Sequence, residues 1–373
     1  MNMAEQRFSP LEGVRVLDFS RLLPGPYASA LLVGMGAEVI KIEDMDKGDY
    51  IRDMIPELYF LVNRRKKAVA VDYKSPAGRE IVFKLVAESD VVFESFRPGA
   101  MARWGLGYED LKAVKKDIIY CSLSGFGSNS PIADRAGHDS QYVAESGLMG
   151  IVAMINEREY QSISPALADL GGGLNAVLAI SSALFARERT GEGAYLDVAL
   201  SDVPCSWAAT SSNTKKGHKP EAAFNLYKTK DDEVLSMGNF EPHFWANFCK
   251  LVGREDLIGR AYDLTAIPIV GEIIRSKTAA EWSDLMENER ICWAIATSPA
   301  GMHKNKQLKA RGYVIEASDG TTILSPMLAF AQPCVPDSPS PEKGQNTEEI
   351  LLSIGVSQEE LQDLKQRGIV QTV

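Results

Sequence analysis

Histidine and cysteine are scarce in this chain, and the scarcity narrows its chemistry. Its 373 residues include four histidines and five cysteines. Cys121, Cys205, Cys249, Cys292 and Cys334 are scattered, odd in number and never spaced as CxxC. That pattern excludes a zinc ribbon or a bridged secreted scaffold and predicts reduced thiols in a cytoplasmic protein. Positive charge is in deficit: 40 basic against 50 acidic residues leave a net charge of −10. Such a balance argues against a nucleic-acid binder, while a local basic patch could still grip an anionic ligand. Long hydrophobic runs are missing too. The longest, Ala176 to Ala186, is interrupted by Ser181 and Ser182 and stops at Arg187, short of the ~20 residues of a membrane span. Glu5, Gln6 and Arg7 stand where a signal peptide needs apolar residues. No GxGxxG follows the first strand-like run, since Ser20 to Pro26 lacks it, and no P-loop occurs. NAD and ATP are therefore poor fits.

What is there alternates. Short β-rich runs at Val14–Phe19, Glu38–Ile42, Lys67–Val71, Val91–Glu94 and Ile118–Leu123 are separated by helical stretches at Tyr27–Met35, Ser75–Glu88 and Tyr108–Val114. This order predicts an α/β fold, a parallel sheet with helices on both faces. A long helix is expected from Gly171 to Arg189, then a strand at Ala194–Val198. The expected division is a large domain over 1–200, a polar and basic linker over 201–222, a small α+β domain over 223–312, and a linker and C-terminal segment over 313–373. Within the last, Pro333 to Gly344 must be extended, and Thr347 to Arg367 is a helical pair divided by Gly355.

Few residues could carry chemistry. His218 in the linker and His303 beside Lys304 read as solvated. His138 follows a glycine-marked loop after a strand, where ligands gather in parallel sheets, although it could equally cap the helix beginning near Ser140. Asp169 precedes Gly171-Gly172-Gly173, a costly run at a helix start. Either a substrate approaches the bare backbone there, or Asp169 is an N-cap and the glycines admit a crossing helix. Glu241 and His243 flank Pro242 just before a helix. Arg64 and Arg65, within Asn63–Lys67, and Arg97 after the fourth strand lie at strand edges and are candidates for gripping phosphates.

These residues also resemble a known family, the class III CoA-transferases and α-methylacyl-CoA racemases (CaiB/BaiF-like). The likeness runs from Pro10–Asp18 and Pro24–Ala28 through Gly36–Glu43, Asn63-Arg64 and Phe96–Gly99. It continues in Leu123–Gly127, Arg189–Gly193 and Gly344–Leu351, with Asn346 where the family often has histidine. The resemblance implies a Rossmann-like large domain, a smaller domain and an interlocked homodimer. It implies an acyl-CoA substrate, with coenzyme A present as part of that substrate and no prosthetic group. In the racemases, residues matching His138 and Asp169 form the acid/base pair, and one matching Glu241 assists the histidine. In the transferases, the matching aspartate carries the acyl group and then CoA. Because Gly137-His138-Asp139, Ala168–Gly173 and Phe240–Phe244 are all present, the resemblance favours the racemase, with the transferase as alternative and a non-catalytic CoA-binding subunit as a lesser one. The helix start after Asp169 is expected to stabilise the enolate. Arg64, Arg65 and Arg97 are expected to hold the CoA phosphates.

Overall fold

The computed structural model describes residues 9–156, 165–212, 221–318, 320–325 and 338–373. His218, Cys334, Pro333, Pro336 and the basic centre of the expected linker lie outside the described residues. The chain divides into two compact units, Met1–Thr214 with Lys306–Val373, and Lys215–Asn305.

In the first unit, the apolar runs become parallel strands: β1 (Arg15–Asp18), β2 (Glu38–Glu43), β3 (Lys67–Val71), β4 (Val91–Glu94), β5 (Ile119–Ser124) and β6 (Ala194–Ala199). Their order is β3-β2-β1-β4-β5-β6, and a C-terminal strand, Val370–Gln371, adds antiparallel to β3. The direction of winding reverses between β1 and β4. In open α/β sheets such a reversal is where a crevice forms beyond the carboxyl ends of the strands, the usual ligand position. Alternate residues feed two apolar layers. Val16, Val39, Val91 and Ile119 join Leu31, Leu32 and Ile180 on one face, while Leu17, Ile40, Val69 and Val92 join Ile81, Leu85 and Leu351 on the other. Burial on both faces is why β3 and β4 read as nearly continuous apolar runs.

Local signals hold where they are strong. Ser75 accepts a hydrogen bond from the Gly78 N–H at 3.1 Å ahead of the Pro76–Ala87 helix, with Pro76 in its first turn. Gly355, in the left-handed region, divides helices Thr347–Ser353 and Gln358–Gln366. The open edge of β3 is covered beside the C-terminal strand: Ala68 N–H donates to Asn346 Oδ1 at 3.1 Å and Ala70 N–H to Thr347 Oγ1 at 3.1 Å. Among the described residues, one helix, Leu167–Thr190, is long and apolar enough to cross a bilayer by length and composition, but half of its apolar window is buried inside the protein. It begins four residues before the expected Gly171, for a tertiary reason given below. Asp202–Ser212, expected to belong to a linker, is helical.

The second unit pairs β7 (Phe224–Lys228), β8 (Val234–Gly238) and β9 (Trp293–Ile295) in an antiparallel sheet over a core of Trp245, Phe248 and Trp282. Both buried indoles are satisfied, Trp245 Nε1 donating to Leu257 O at 2.9 Å and Trp282 Nε1 to Ile274 O at 2.7 Å.

Candidate active site

His138 sits immediately before the helix Asp139–Glu145, with extended backbone. Its own N–H donates to Gln141 Oε1 at 3.0 Å, and its side chain makes no capping bond and is exposed. The capping role open to it in the sequence is not taken up. One turn along, Tyr142 is buried and its hydroxyl donates to the carbonyl of Gly137, the residue before His138. A Cβ at Gly137 would stand 2.8 Å from the Tyr142 ring, so the loop closes on the ring only with glycine there. Burial, the carboxylates of Asp169 and Asp139 raise the Tyr142 hydroxyl to about 12 against the opposing charge of Arg97.

Asp169 lies within the first turn of the Leu167–Thr190 helix and is not its cap. That end is satisfied from elsewhere in the chain. Asp139 Oδ1 accepts from the Ala168 N–H at 2.6 Å and the Asp169 N–H at 3.1 Å. A carboxylate 30 residues away in sequence therefore supplies two of the acceptors a helix start lacks, and the helix begins earlier than its own residues indicate. The same two N–H groups are no longer open to a substrate. The expected stabilisation of an enolate by this helix start is corrected accordingly: Asp139 already fills the place. Burial, reinforced by the charge of Asp139, pushes the Asp169 carboxyl up to about 7.

The glycine run serves packing. Gly171, Gly172 and Gly173 are all buried. A Cβ on Gly172 would come 2.6 Å from Leu200 Cδ2, and one on Gly173 2.8 Å from the Pro24 carbonyl oxygen. Neighbouring protein, not a ligand, requires bare backbone here, and the crossing-element reading is the one realised.

The cations separate by burial. Arg64 is 1% exposed, its guanidinium 4.2 Å from the Phe60 ring centre. Lys66 is buried against Asp18 at 3.2 Å, and Lys67 bridges Glu38 and Glu349. The Asn63–Lys67 cluster is thus not a basic patch, and Arg65 is its one exposed arginine. Arg97 is exposed just beyond β4. Near it stand residues that the sequence did not single out. The Arg21 guanidinium lies 4.8 Å from the Phe96 ring centre and donates to Tyr73 Oη at 3.2 Å and Asp44 Oδ2 at 3.3 Å. Phe96 packs edge-on to Trp104 at 5.1 Å, and the Lys74 ammonium lies 5.3 Å from the Trp104 ring. These groups follow β1, β2, β3 and β4 and form an aromatic and cationic wall at the point of reversal. Single lysines and aromatics scattered over 80 residues leave no linear motif, which is why only folding reveals them.

In the second unit, Glu241 is exposed at the position before the Pro242–Leu251 helix, and the His243 ring lies tilted against that of Phe244 with ring centres 4.0 Å apart.

The profile of CoA-transferase family III matches residues 11–347. The chain belongs to that family. Human succinyl-CoA:glutarate CoA-transferase is 31% identical to it, over 92% of this chain and 86% of the relative. Human alpha-methylacyl-CoA racemase is 30% identical, over 97% of this chain and 98% of the relative. Among solved structures, a CaiB/BaiF family protein from Brucella suis superposes with a TM-score of 0.78 at 28% identity, covering 93% of this chain and all of that one. Within CoA-transferase family III, then, both transferases and racemases are similar to this chain at nearly equal identity.

Proposed function

We propose that this family member is an α-methylacyl-CoA racemase-type enzyme, exchanging the α-proton of a 2-methyl-branched acyl-CoA. The observation that carries the reading is the tie made by Asp139, which joins the loop bearing His138 to the helix turn bearing Asp169. One side chain removes the α-proton, leaving the thioester enolate, and the other delivers a proton to the opposite face. After one turnover the proton has changed owner, and the pair is set for the reverse direction. A carboxyl raised to about 7 suits this work, since near neutral pH it exists in both forms in comparable amounts. The assisting role of Glu241 rests on the family resemblance alone, as does an interlocked homodimer, whose mass in solution is the check.

Coenzyme A is assigned to the crevice between β1 and β4. Arg65 and Arg97 are the exposed arginines for its phosphates, and Arg21, Lys74 and Phe96 are added to them from the wall described above. Arg64, being buried, is not assigned to them.

A transferase is the second reading, favoured by relatives such as the human succinyl-CoA:glutarate enzyme. There the Asp169 carboxylate would attack the thioester carbonyl, and the CoA thiolate would leave. The thiolate then attacks the resulting anhydride at the Asp169 carbonyl, freeing the acid and leaving CoA on Asp169 for an acceptor carboxylate. One assay separates the two. A single epimer of a 2-methylacyl-CoA is incubated with enzyme in deuterated water, without an acceptor acid. Epimerisation with α-deuterium uptake supports the racemase. Turnover only after a carboxylic acid is added, with an Asp169 adduct trapped by hydroxylamine, replaces it with the transferase.

A further inference from the structure

Five backbone polar groups of the loop after β1, Phe19 to Leu23, are held by a side chain or strand that the proposed chemistry does not use. Phe19 N–H donates to Phe93 O at 2.8 Å, Ser20 N–H to Asp18 Oδ1 at 2.9 Å, and Arg21 N–H to Ser95 Oγ at 3.1 Å. Ser20 O accepts from Lys41 Nζ at 2.9 Å, and Leu22 N–H donates to Asp49 Oδ1 at 3.0 Å. The last two partners are themselves a pair: Lys41 Nζ lies 2.8 Å from Asp49 Oδ2, and both side chains are at most 1% exposed. Asp49 is fixed in turn, its N–H donating to Glu43 Oε1 at 2.9 Å, while Arg52 grips both oxygens of Glu43.

What the pair holds is unfavourable by itself. Leu22 has φ of +65°, in the left-handed region that a leucine avoids at a cost of roughly 1 kcal/mol or more. A buried ion pair is also a poor source of stability, because desolvating two charges offsets most of their attraction, and a well-packed apolar pair of similar size often serves as well. Two costly features joined by one hydrogen bond call for a benefit other than stability. The conformation delivers Arg21, the residue between Ser20 and Leu22, to its place over Phe96 at the crevice.

We propose that the buried Lys41–Asp49 pair is a positioning device, holding the Phe19–Leu23 loop in its ligand-ready conformation before coenzyme A arrives. This rests on the assignment of coenzyme A to the β1–β4 crevice. Asp49 and Lys41 are positioning residues, acting through Leu22 and Ser20. Fixing the loop in advance removes the ordering cost that binding would otherwise carry.

The test uses the full-length protein and free coenzyme A as probe. The double variant Lys41→Met/Asp49→Leu keeps an apolar pair of similar volume but loses both bonds to the loop. It is expected to melt near the wild-type temperature and to bind coenzyme A about tenfold more weakly. Adding Leu22→Gly, which enters the left-handed region freely, is expected to restore part of that affinity. Hydrogen exchange of ligand-free protein in peptides covering Phe19–Leu23 is expected to be slow in the wild type and at least about tenfold faster in the double variant. Should the double variant fold poorly, Asp49→Ala, which removes the acceptor of the Leu22 N–H, is read in the same exchange experiment. Unchanged exchange in a folded variant overturns the device, and so does unchanged affinity. Wild-type protein that fails to bind coenzyme A overturns the ligand assignment instead, while faster exchange in the variant would still uphold the device.

Discussion

Asp139 and Asp169 are joined through a backbone N–H: the side-chain oxygen of the first accepts from the amide of the second at 3.1 Å, while the two carboxylates repel. A single residue thus starts the long helix and keeps the Asp169 carboxyl above its ordinary range, with burial as the larger cause. Replacing Asp139 should separate these effects. Asp139→Ala is expected to cost about 1–2 kcal/mol in chemical denaturation, the usual loss for a missing cap. Asp139→Asn keeps an acceptor and removes the charge. It is expected to fold normally and to bring the Asp169 titration below about 7, as read by carboxyl-specific infrared or NMR titration.

The pH dependence of turnover should report which chemistry operates. A transferase needs ionised Asp169, so kcat/KM should rise with pH through about 7 and then level. An epimerising pair needs one proton shared between its two members, so the rate should fall on both sides of an optimum. A rate that is flat from pH 5 to about 8 would contradict both assignments of Asp169.

Stability should also depend on pH, through Asp169 and through Glu94. The latter is buried at the end of β4, accepts from the Phe96 N–H at 2.7 Å and is pushed up to about 7, chiefly by burial. For both groups the folded form keeps its proton to higher pH than the unfolded chain. Their contribution is complete below about pH 4 and is lost as pH rises through about 7. Glu94→Gln removes one of these losses. It is expected to gain about 3 kcal/mol relative to the wild type between pH 4 and 8, measured by urea denaturation at both values.

Gly173→Ala tests the packing role of the glycine run. Alanine favours helix, yet its Cβ would meet the Pro24 carbonyl oxygen at 2.8 Å and Tyr27 Cδ1 at 2.9 Å. Overpacking against backbone should dominate, with a net loss of about 1–3 kcal/mol. A more stable variant would show that this contact yields easily.

The arginines should divide by exposure. Arg65→Gln and Arg97→Gln are expected to weaken coenzyme A binding and reduce its salt dependence with little change in melting temperature. Arg64→Met should do the reverse, lowering stability by about 2 kcal/mol through lost packing on Phe60 while leaving affinity near wild type. Calorimetry across a salt series with parallel melting curves distinguishes the patterns.

Sequence alone determined the strands of the first unit, because residues buried on both faces of a sheet are mostly apolar, and short β-rich runs of them are visible along the chain. It likewise fixed the Ser75 cap, the break at Gly355 and the family, whose motifs are local. The start of the Leu167–Thr190 helix, the burial of Arg64 and Lys66 inside a basic-looking run, and the true use of the glycine triplet were decided only by tertiary structure. Each depends on a partner distant in the chain: Asp139 for the helix start, Asp18 for Lys66, Pro24 and Leu200 for the glycines. Desolvation and hydrogen bonding act on what surrounds a group in space, and no pattern of neighbours along the chain encodes that by itself.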